Sequence, residues 1–303
     1  MLIRVVLLSF VLLISSCSLE KKEQAPIGFL FYQPLLRDKI DWDKSFQKMN
    51  ESKIDRLILQ WSRFGVVDFL KDDKWLVEIL QNAQKHNIKV IIGLYGDDRY
   101  FKKLENKKTN TKKYLNQLES INISQAQKIY TIAKSYSSFD GWYIYDEIDD
   151  TNFIKPNKEN YLKLYLQSIA DKLDNISKKP TYISGYFSNH IAPKEFVQMF
   201  LNITQKRYIV LVQSGIGANL VDTQNSIKYM QEFSKSFKGE FIPIVEGFKI
   251  IDSKPIAIDF LSLQKQIKVL QNSSQIEQVA LFSLRYFFTK ELLRKYKYTY
   301  CNK

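Results

Sequence analysis

Cysteine, histidine and glycine are scarce in this sequence of 303 residues, which contains 2 cysteines, 2 histidines and 10 glycines. The few glycines form no glycine-rich loop after an early apolar run, so the phosphate-binding turn of a nucleotide-binding fold is missing. The histidines, cysteines and carboxylates show no spacing that is diagnostic of a metal site. We therefore expect neither a cofactor nor a bound metal, and the sequence disfavours a metal-dependent nuclease.

A block of like charge is also missing, although the formal net charge is +13. The lysines are spread over nearly every helical segment, which is typical of a solvated surface and not of a nucleic-acid groove. We therefore predict no nucleic-acid partner. An acidic glycan and anionic lipid headgroups stay open as partners of this basic surface.

The first 17 residues have the layout of an export signal. Arg4 precedes an apolar stretch at 5–14, which is too short to span a bilayer comfortably. The next residues complete the run Ile-Ser-Ser-Cys at 14–17, which resembles the lipobox of bacterial lipoproteins. This resemblance implies that Cys17 is lipidated and attaches the protein to a membrane.

The predicted organisation is a signal peptide at 1–16, the lipidated Cys17 with a polar tether at 17–26, and one domain at 27–303. Ser18, in place of Asp, is similar to the pattern of lipoproteins sent to the outer membrane. We therefore expect an exported lipoprotein in the outer membrane, facing the periplasm or the cell surface. With Cys17 lipidated, Cys301 has no partner for an intrachain disulfide.

Eight short apolar runs alternate with amphipathic helical segments after the tether. Continuous apolar runs of this length are typical of parallel strands that are buried on both faces. Eight strand–helix repeats predict an α/β fold, a single-domain (β/α)8 TIM barrel, with a doubly wound open sheet as the alternative. The polar segment 97–122 is predicted to be a long loop with at most one short helix. The eight runs are 27–34, 56–61, 88–96, 141–147, 180–187, 208–215, 241–248 and 279–287.

The residues that close these runs are the candidates for chemistry, because TIM-barrel active sites lie at the C-terminal ends of the strands. Glu147 closes the fourth run and Glu246 the seventh. Two such carboxylates can hydrolyse a glycosidic bond. The other closing residues are aromatic, amide and charged side chains that suit the faces and hydroxyl groups of sugars. The predicted substrate-binding residues are Trp61, Arg63, Tyr95, Asp98, Asp146, Tyr186, His190, Gln213, Arg285 and Tyr286.

Acidic residues at the ends of strands four and seven resemble those of the clan A, or four/seven, glycoside hydrolases. The resemblance implies that Glu147 is the acid/base and Glu246 the nucleophile of a retaining enzyme. The chain, with its lipoprotein leader and the runs GFLFYQP, LILQW and YDE, is also similar to a bacterial barrel family, the domain of unknown function 4434. That similarity spans about residues 27–290.

Two positions depart from the clan A pattern. Asp146 stands where these enzymes usually have the Asn that binds the sugar 2-hydroxyl, and Leu-Arg-Tyr at 284–286 stands where many have Trp. Asp146 has the alternative of a structural role on the other side of the strand, paired with a basic group. The two glutamates have the alternatives of capping helices or pairing with Arg63 or Arg285.

Three classes of function remain. The leading hypothesis is an exported glycoside hydrolase in which protonated Glu147 donates to the departing oxygen and ionised Glu246 attacks the anomeric carbon of a poly- or oligosaccharide. It requires a raised pKa at Glu147, which we expect from the neighbouring Asp146 and Glu246 and from apolar strand residues. The alternatives are a non-catalytic carbohydrate-binding envelope lipoprotein and an envelope scaffold that uses its lysine-rich surface.

Overall fold

Eight parallel strands close into a barrel in the computed structural model, which describes residues 25–301. Each strand pairs with its neighbours in the chain, and β8 pairs with β1, so the barrel leaves no edge strand. The predicted eight-stranded barrel is confirmed, and Glu147 and Glu246 lie on the fourth and seventh strands. The strands are β1 (Ile27–Tyr32), β2 (Arg56–Leu59), β3 (Lys89–Gly93), β4 (Phe139–Asp149), β5 (Thr181–Tyr186), β6 (Ile209–Gln213), β7 (Phe241–Glu246) and β8 (Val279–Phe282).

One helix follows each strand and covers the outside of the barrel. They are α1 (Trp42–Glu51), α2 (Lys74–Lys85), α3 (Thr111–Ala133), α4 (Pro156–Ile176), α5 (Pro193–Thr204), α6 (Thr223–Ser236), α7 (Phe260–Ser274) and α8 (Lys290–Tyr300). Short helices span Tyr100–Glu105 and Leu284–Phe287. Small strand pairings join Arg63–Phe64 to Val67–Asp68 and Tyr95–Gly96, and a hairpin joins Phe248–Ile251 to Lys254–Ala257.

The strands are buried on both faces because each separates two apolar layers. All six residues of β1 are buried. Alternate side chains of the strands enter the barrel, where Phe31, Tyr143 and Leu211 belong to the inner cluster. The intervening side chains, such as Leu30 and Ile144, pack outward into the larger cluster shared with the helices. This alternation determines which strand-end residues can reach the interior.

The predicted long loop at 97–122 is wrong, because α3 begins at Thr111. Asn110 caps it by accepting a hydrogen bond from the backbone N–H of Lys113 at 3.0 Å. The buried stripe of α3 contains Asn122 and Gln125, two amides that interrupt its apolar period. Both are buried because they have specific partners, Gln125 donating to the Ser62 hydroxyl at 2.9 Å.

The predicted signal peptide and the lipidated Cys17 lie outside the described residues, as does most of the predicted tether. Among residues 25–301, no helix has both the length and the apolar character needed to cross a bilayer.

Gly93, the last residue of β3, allows a close approach between β3 and the end of β2. A Cβ at this position would lie 2.3 Å from the carbonyl carbon and oxygen of Gln60 and 2.4 Å from the carbonyl oxygen of Leu59. These are backbone atoms of a packed barrel and cannot rotate away.

We predict that Gly93→Ala lowers the free energy of unfolding by about 1–3 kcal/mol, the usual cost of overpacking. Gly28→Ala is the control, because its nearest contacts are the terminal atoms of the flexible Gln278 side chain. Urea unfolding followed by circular dichroism measures both. Equal stability of the two variants would contradict the prediction.

Candidate active site

A cavity of about 230 Å³ opens at the C-terminal ends of the barrel strands. Glu147 and Glu246 both line it, and so does Gln213 from the end of β6. The arrangement therefore brings together the two predicted catalytic residues and one predicted substrate-binding residue. The full lining is Gln33, Gln60, Tyr145, Glu147, Gln213, Ile244, Glu246, Phe248 and Phe282.

Glu147 is held by two neutral donors. Its Oε1 accepts hydrogen bonds from the Gln213 amide at 2.7 Å and from the Ser184 hydroxyl at 3.3 Å. Ser184 is in turn hydrogen-bonded to the Tyr143 hydroxyl in the barrel interior at 2.6 Å. Burial, aided by the negative charge of Asp149, raises the pKa of Glu147 to about 7. The raised pKa was expected, but burial is its main cause and Asp149 is the carboxylate that contributes.

Glu246 is buried and receives three donors. Its Oε2 accepts from the Ser214 hydroxyl and, at 3.4 Å, from the backbone N–H of Gly217. Its Oε1 accepts from the backbone N–H of Gly215 at 2.8 Å. Burial raises the pKa of Glu246, while these three hydrogen bonds act in the opposite direction by stabilising the ionised form. The donors fix the carboxylate in one orientation.

The turn after β6, residues 213–217, positions both glutamates. Gln213 binds Glu147, and the three donors to Glu246 come from the next four residues. Gly215 has φ +73°, a conformation that favours glycine. A Cβ on Gly217 would lie 2.4 Å from the Phe248 carbonyl oxygen and 2.5 Å from the Glu246 Cβ.

Within residues 25–301, neither glutamate is within ion-pair distance of a lysine, an arginine or a histidine. Arg285 instead contacts the Asp38 carboxylate at 3.3 Å and donates to the Gln33 carbonyl at 3.1 Å. Arg63 lies over the Tyr95 ring, 5.3 Å from its centroid. The sequence alternative in which the two glutamates pair with these arginines is therefore wrong.

Trp61, Arg63 and Tyr95 form a packed layer beside the cavity instead of lining it. Trp61 is 5% exposed, and its indole N–H donates to the Pro34 carbonyl at 3.1 Å. Its ring meets the edge of the Tyr145 ring at a centroid distance of 5.5 Å. Since Tyr145 lines the cavity, Trp61 supports the wall and does not form it.

Tyr286 and Arg285 also act behind the lining. The Tyr286 ring packs against Phe248 at a centroid distance of 5.3 Å, and Phe248 faces the cavity. Arg285 binds the backbone of Gln33, another lining residue. Both predicted substrate-binding residues are therefore placed to hold residues that a substrate would touch.

Tyr186, His190 and Asp98 lie away from the cavity. Tyr186 packs edge-on against Phe101 at 5.8 Å, and Asp98 is exposed beside Arg99. His190 is exposed and lines a separate open groove of about 510 Å³ at the starts of α5 and α6. Its Nδ1 is hydrogen-bonded to the Ser188 hydroxyl at 2.8 Å.

Asp146 faces the helices and not the cavity, since it alternates with Tyr145 and Glu147 along β4. Its Oδ2 accepts from the Tyr165 hydroxyl and from the Asn122 amide at 3.3 Å, and its Oδ1 has no partner among the described residues. Burial raises the pKa of Asp146 to about 7. Its partners are neutral, in contrast to the predicted basic partner, and the location does not provide the predicted substrate contact.

Six lining residues are not among the sequence candidates: Gln33, Gln60, Tyr145, Ile244, Phe248 and Phe282. Tyr145 could have been found by strand alternation, because it lies two residues before Glu147. Gln60 directly follows β2 and Phe282 ends β8, whereas the predicted runs end at 61 and 287, so more accurate strand ends would have included both. Phe248 begins the hairpin after β7, which no local pattern indicated.

Among residues 25–301, no three His, Cys, Asp or Glu side chains are grouped so as to hold a metal ion. The charged residues that line the cavity are Glu147 and Glu246. A protonatable carboxyl beside a carboxylate stabilised by fixed donors can transfer a proton and supply a nucleophile.

Residues 32–290 match the sequence profile described as "Domain of unknown function (DUF4434)". The chain belongs to this family. Membership of the domain of unknown function 4434 family was the resemblance inferred from the sequence, and it is confirmed over most of the chain. The Escherichia coli K12 protein YbcH, described as uncharacterized, is 27% identical over 207 residues, 67% of this chain and 69% of its own.

Solved structures with the same fold include a protein provisionally described as an enzyme and a protein described as an enzyme inhibitor. A Bacteroides thetaiotaomicron protein, provisionally described as an alpha-L-fucosidase, superposes with a TM-score of 0.71 at 17% identity, over 97% of this chain and 98% of its own. The xylanase and alpha-amylase inhibitor protein XAIP-II of Scadoxus multiflorus has a TM-score of 0.55 at 11% identity, over 91% and 98%. At these identities the likeness establishes the barrel fold of this family member.

The buried Asp146 makes the stability of the protein depend on pH. Its pKa is about 7 in the folded protein and about 3.9 in an unfolded chain. Its stabilising contribution to the free energy of unfolding is therefore fully present below pH 4 and is lost as the pH rises through 7. Glu147 acts in the same direction.

The free energy of unfolding of wild type should fall between pH 5 and pH 8. We predict that it falls less in Asp146→Asn, by roughly a few kcal/mol at most. Glu147→Gln removes a second contribution to this pH dependence and serves as the comparison. Urea unfolding at several pH values provides the measurement. A slope unchanged by either substitution would show that these carboxyls do not titrate as the structure implies.

Proposed function

We propose that the protein is an exported glycoside hydrolase, anchored to a membrane through Cys17, that cleaves a poly- or oligosaccharide by a retaining mechanism. The observation that carries this proposal is the pair Glu147 and Glu246, which line one cavity in different surroundings. Glu147 accepts two hydrogen bonds from neutral donors and has a pKa of about 7, whereas Glu246 accepts three, which favour its ionised form against the effect of burial. Such a difference between two carboxyls assigns an acid and a nucleophile.

The reaction follows from these positions. The Glu147 carboxyl gives its proton to the glycosidic oxygen as the bond to the anomeric carbon breaks, and the Glu246 carboxylate forms a new bond to that carbon. Glu147, now ionised, takes a proton from water, whose oxygen displaces Glu246. The second step releases the sugar and restores both side chains to their starting states.

Conservative substitution tests the pair directly. On a panel of poly- and oligosaccharides, we expect wild type to release reducing ends and Glu147→Gln and Glu246→Gln each to lower kcat by about 10²–10⁴-fold. Glu78→Gln, an exposed glutamate on α2, is the matched control and should retain full activity. Full turnover in both cavity variants would refute the assignment.

The anomer that is released first, identified by NMR, distinguishes a retaining from an inverting mechanism. Retention of the anomeric configuration supports Glu246 as the nucleophile, whereas inversion would indicate that Glu246 acts as a general base. Sugar binding without turnover would support the alternative of a carbohydrate-binding envelope lipoprotein. The inhibitor XAIP-II has a barrel of the same fold, so the fold is compatible with that outcome.

The pKa of Glu147 predicts the pH dependence. A general acid must be protonated, so kcat/KM should fall about tenfold per pH unit above a pKa of about 7 when the leaving group needs a proton. An aryl glycoside with a dinitrophenolate leaving group needs no proton in the first step. Under conditions where the first step limits the rate, kcat/KM for this substrate should not fall above pH 7. Glu147→Gln should cleave it nearly as fast as wild type in that step. An equal fall of kcat/KM above pH 7 for both kinds of substrate would contradict the role of Glu147.

A further inference from the structure

The cavity is small for a carbohydrate-binding site. Its volume of about 230 Å³ lies below the roughly 300–1,000 Å³ of pockets that enclose drug-sized ligands. One six-membered sugar ring with its hydroxyl groups fits such a space, and a second ring must lie outside it. The aromatic residues Tyr145, Phe248 and Phe282 contribute to its walls, and aromatic rings suit the apolar side of a sugar ring.

The charge of the lining is opposite in sign to that of the whole protein. The sequence carries a formal net charge of +13, but the charged residues that line the cavity are Glu147 and Glu246. The nearby Arg285 faces Asp38 and the Gln33 backbone. A sugar carboxylate would therefore meet negative charge and, in the described part of the chain, no cation in the lining, so the lining favours a neutral ring.

Gln60 is a buried lining residue with an unused acceptor. The residue is 5% exposed, and its side-chain Oε1 has no hydrogen-bond partner among the described residues. Its backbone is fixed, because its N–H donates to the Tyr32 carbonyl at 2.9 Å and its carbonyl packs against Gly93. A buried acceptor without a partner is costly, and rotation of the Gln60 side-chain amide would turn it toward the cavity, where a hydroxyl group of a bound sugar is a donor that would satisfy it.

We propose that the cavity holds one neutral six-membered sugar ring at the end of a glycan chain, and that the Gln60 side-chain amide rotates on binding so that its Oε1 accepts a hydrogen bond from one of the ring's hydroxyl groups. The enzyme then acts at chain ends and releases single sugars. The release rests on the proposed function, whereas the binding of the ring does not require turnover. Gln60 is a specificity-determining contact that holds the ring beside Glu147 and Glu246.

The first experiment measures binding in the absence of any reaction. D-Glucose, D-galactose, D-mannose and L-fucose are titrated into wild type by NMR or calorimetry, with D-glucuronate and D-galacturonate as charged counterparts. We expect at least one neutral sugar to bind. The charged sugar that corresponds to it, or the more similar of the two where neither corresponds, should bind at least tenfold more weakly. Tighter binding of the charged sugars, or no binding of any neutral sugar, would overturn the proposal.

The second experiment tests Gln60 with deoxy sugars. Wild type should bind one monodeoxy form of the preferred sugar about 10–100-fold more weakly, because the acceptor is then left unpaired. Gln60→Leu should bind the parent sugar with a similar loss and no longer distinguish it from that deoxy form. Gln198→Leu, on the exposed face of α5, is the matched control and should behave as wild type.

The wild-type deoxy series decides the matter even if Gln60→Leu fails to fold, since equal binding of every deoxy form would overturn the Gln60 contact. A variant that folds and still discriminates like wild type would overturn it as well.

Product analysis separates this inference from the proposed function. Turnover that depends on both glutamates and yields only monosaccharide from the start supports chain-end action. The same turnover with an early ladder of oligosaccharides would overturn chain-end action and leave the hydrolase assignment intact. Gln60-dependent sugar binding without turnover would refute the hydrolase and retain the binding site.

Discussion

Closure of the parallel barrel is the constraint on which the rest of the structure depends. The pairing of Leu30 with Leu281 joins the last strand to the first and leaves no unpaired edge. With all strands parallel, their C-terminal ends meet at one opening. Glu147 and Glu246, about a hundred residues apart in the chain, share a cavity for this reason.

The same geometry gives consecutive residues opposite roles. On β4, Tyr145 and Glu147 face the cavity, and Asp146 between them faces α3 and α4. The register with β5 is irregular here, since Ile144 pairs with Ile183 and Ile148 with Gly185. The alternation nevertheless continues through this irregularity, so one acid enters the cavity and its neighbour joins the packing of the helices.

The buried Asp146 and Glu246 and the half-buried Glu147 have no cationic partner within residues 25–301, and this energetic cost is concentrated at one end of the barrel. Asp146, Glu147 and Glu246 all have raised pKa values, and burial is the largest cause for each. Hydrogen bonds from neutral donors offset part of the cost. For Glu246 these donors come from a turn in which the backbone conformation of Gly215 favours glycine and Gly217 has no room for a side chain. With pKa values of about 7, Asp146 and Glu147 can exchange protons near neutral pH, and we relate the cost of burying the Glu147 and Glu246 carboxyls to the proposed chemistry.

Local pattern in the sequence was sufficient for the barrel, the order of its strands and the placement of the two glutamates at the ends of β4 and β7. It failed over the first half of α3, whose inward face carries Asn122, because a polar residue that is satisfied by distant partners resembles part of a loop in the sequence. It also placed too many residues in the cavity, since a strand end shows which side chains are nearby and not which way they point.

The sequence by itself therefore determined the fold, the family and the carboxylate pair, because apolar periodicity and strand ends are local properties. Only the tertiary structure decided that Gln60 and Phe248 line the cavity, that Trp61 supports its wall, and that Asp146 faces the helices. It also decided that the turn at 213–217 holds both acids. These outcomes depend on side-chain direction and on contacts between distant segments, which exist only once the barrel has closed.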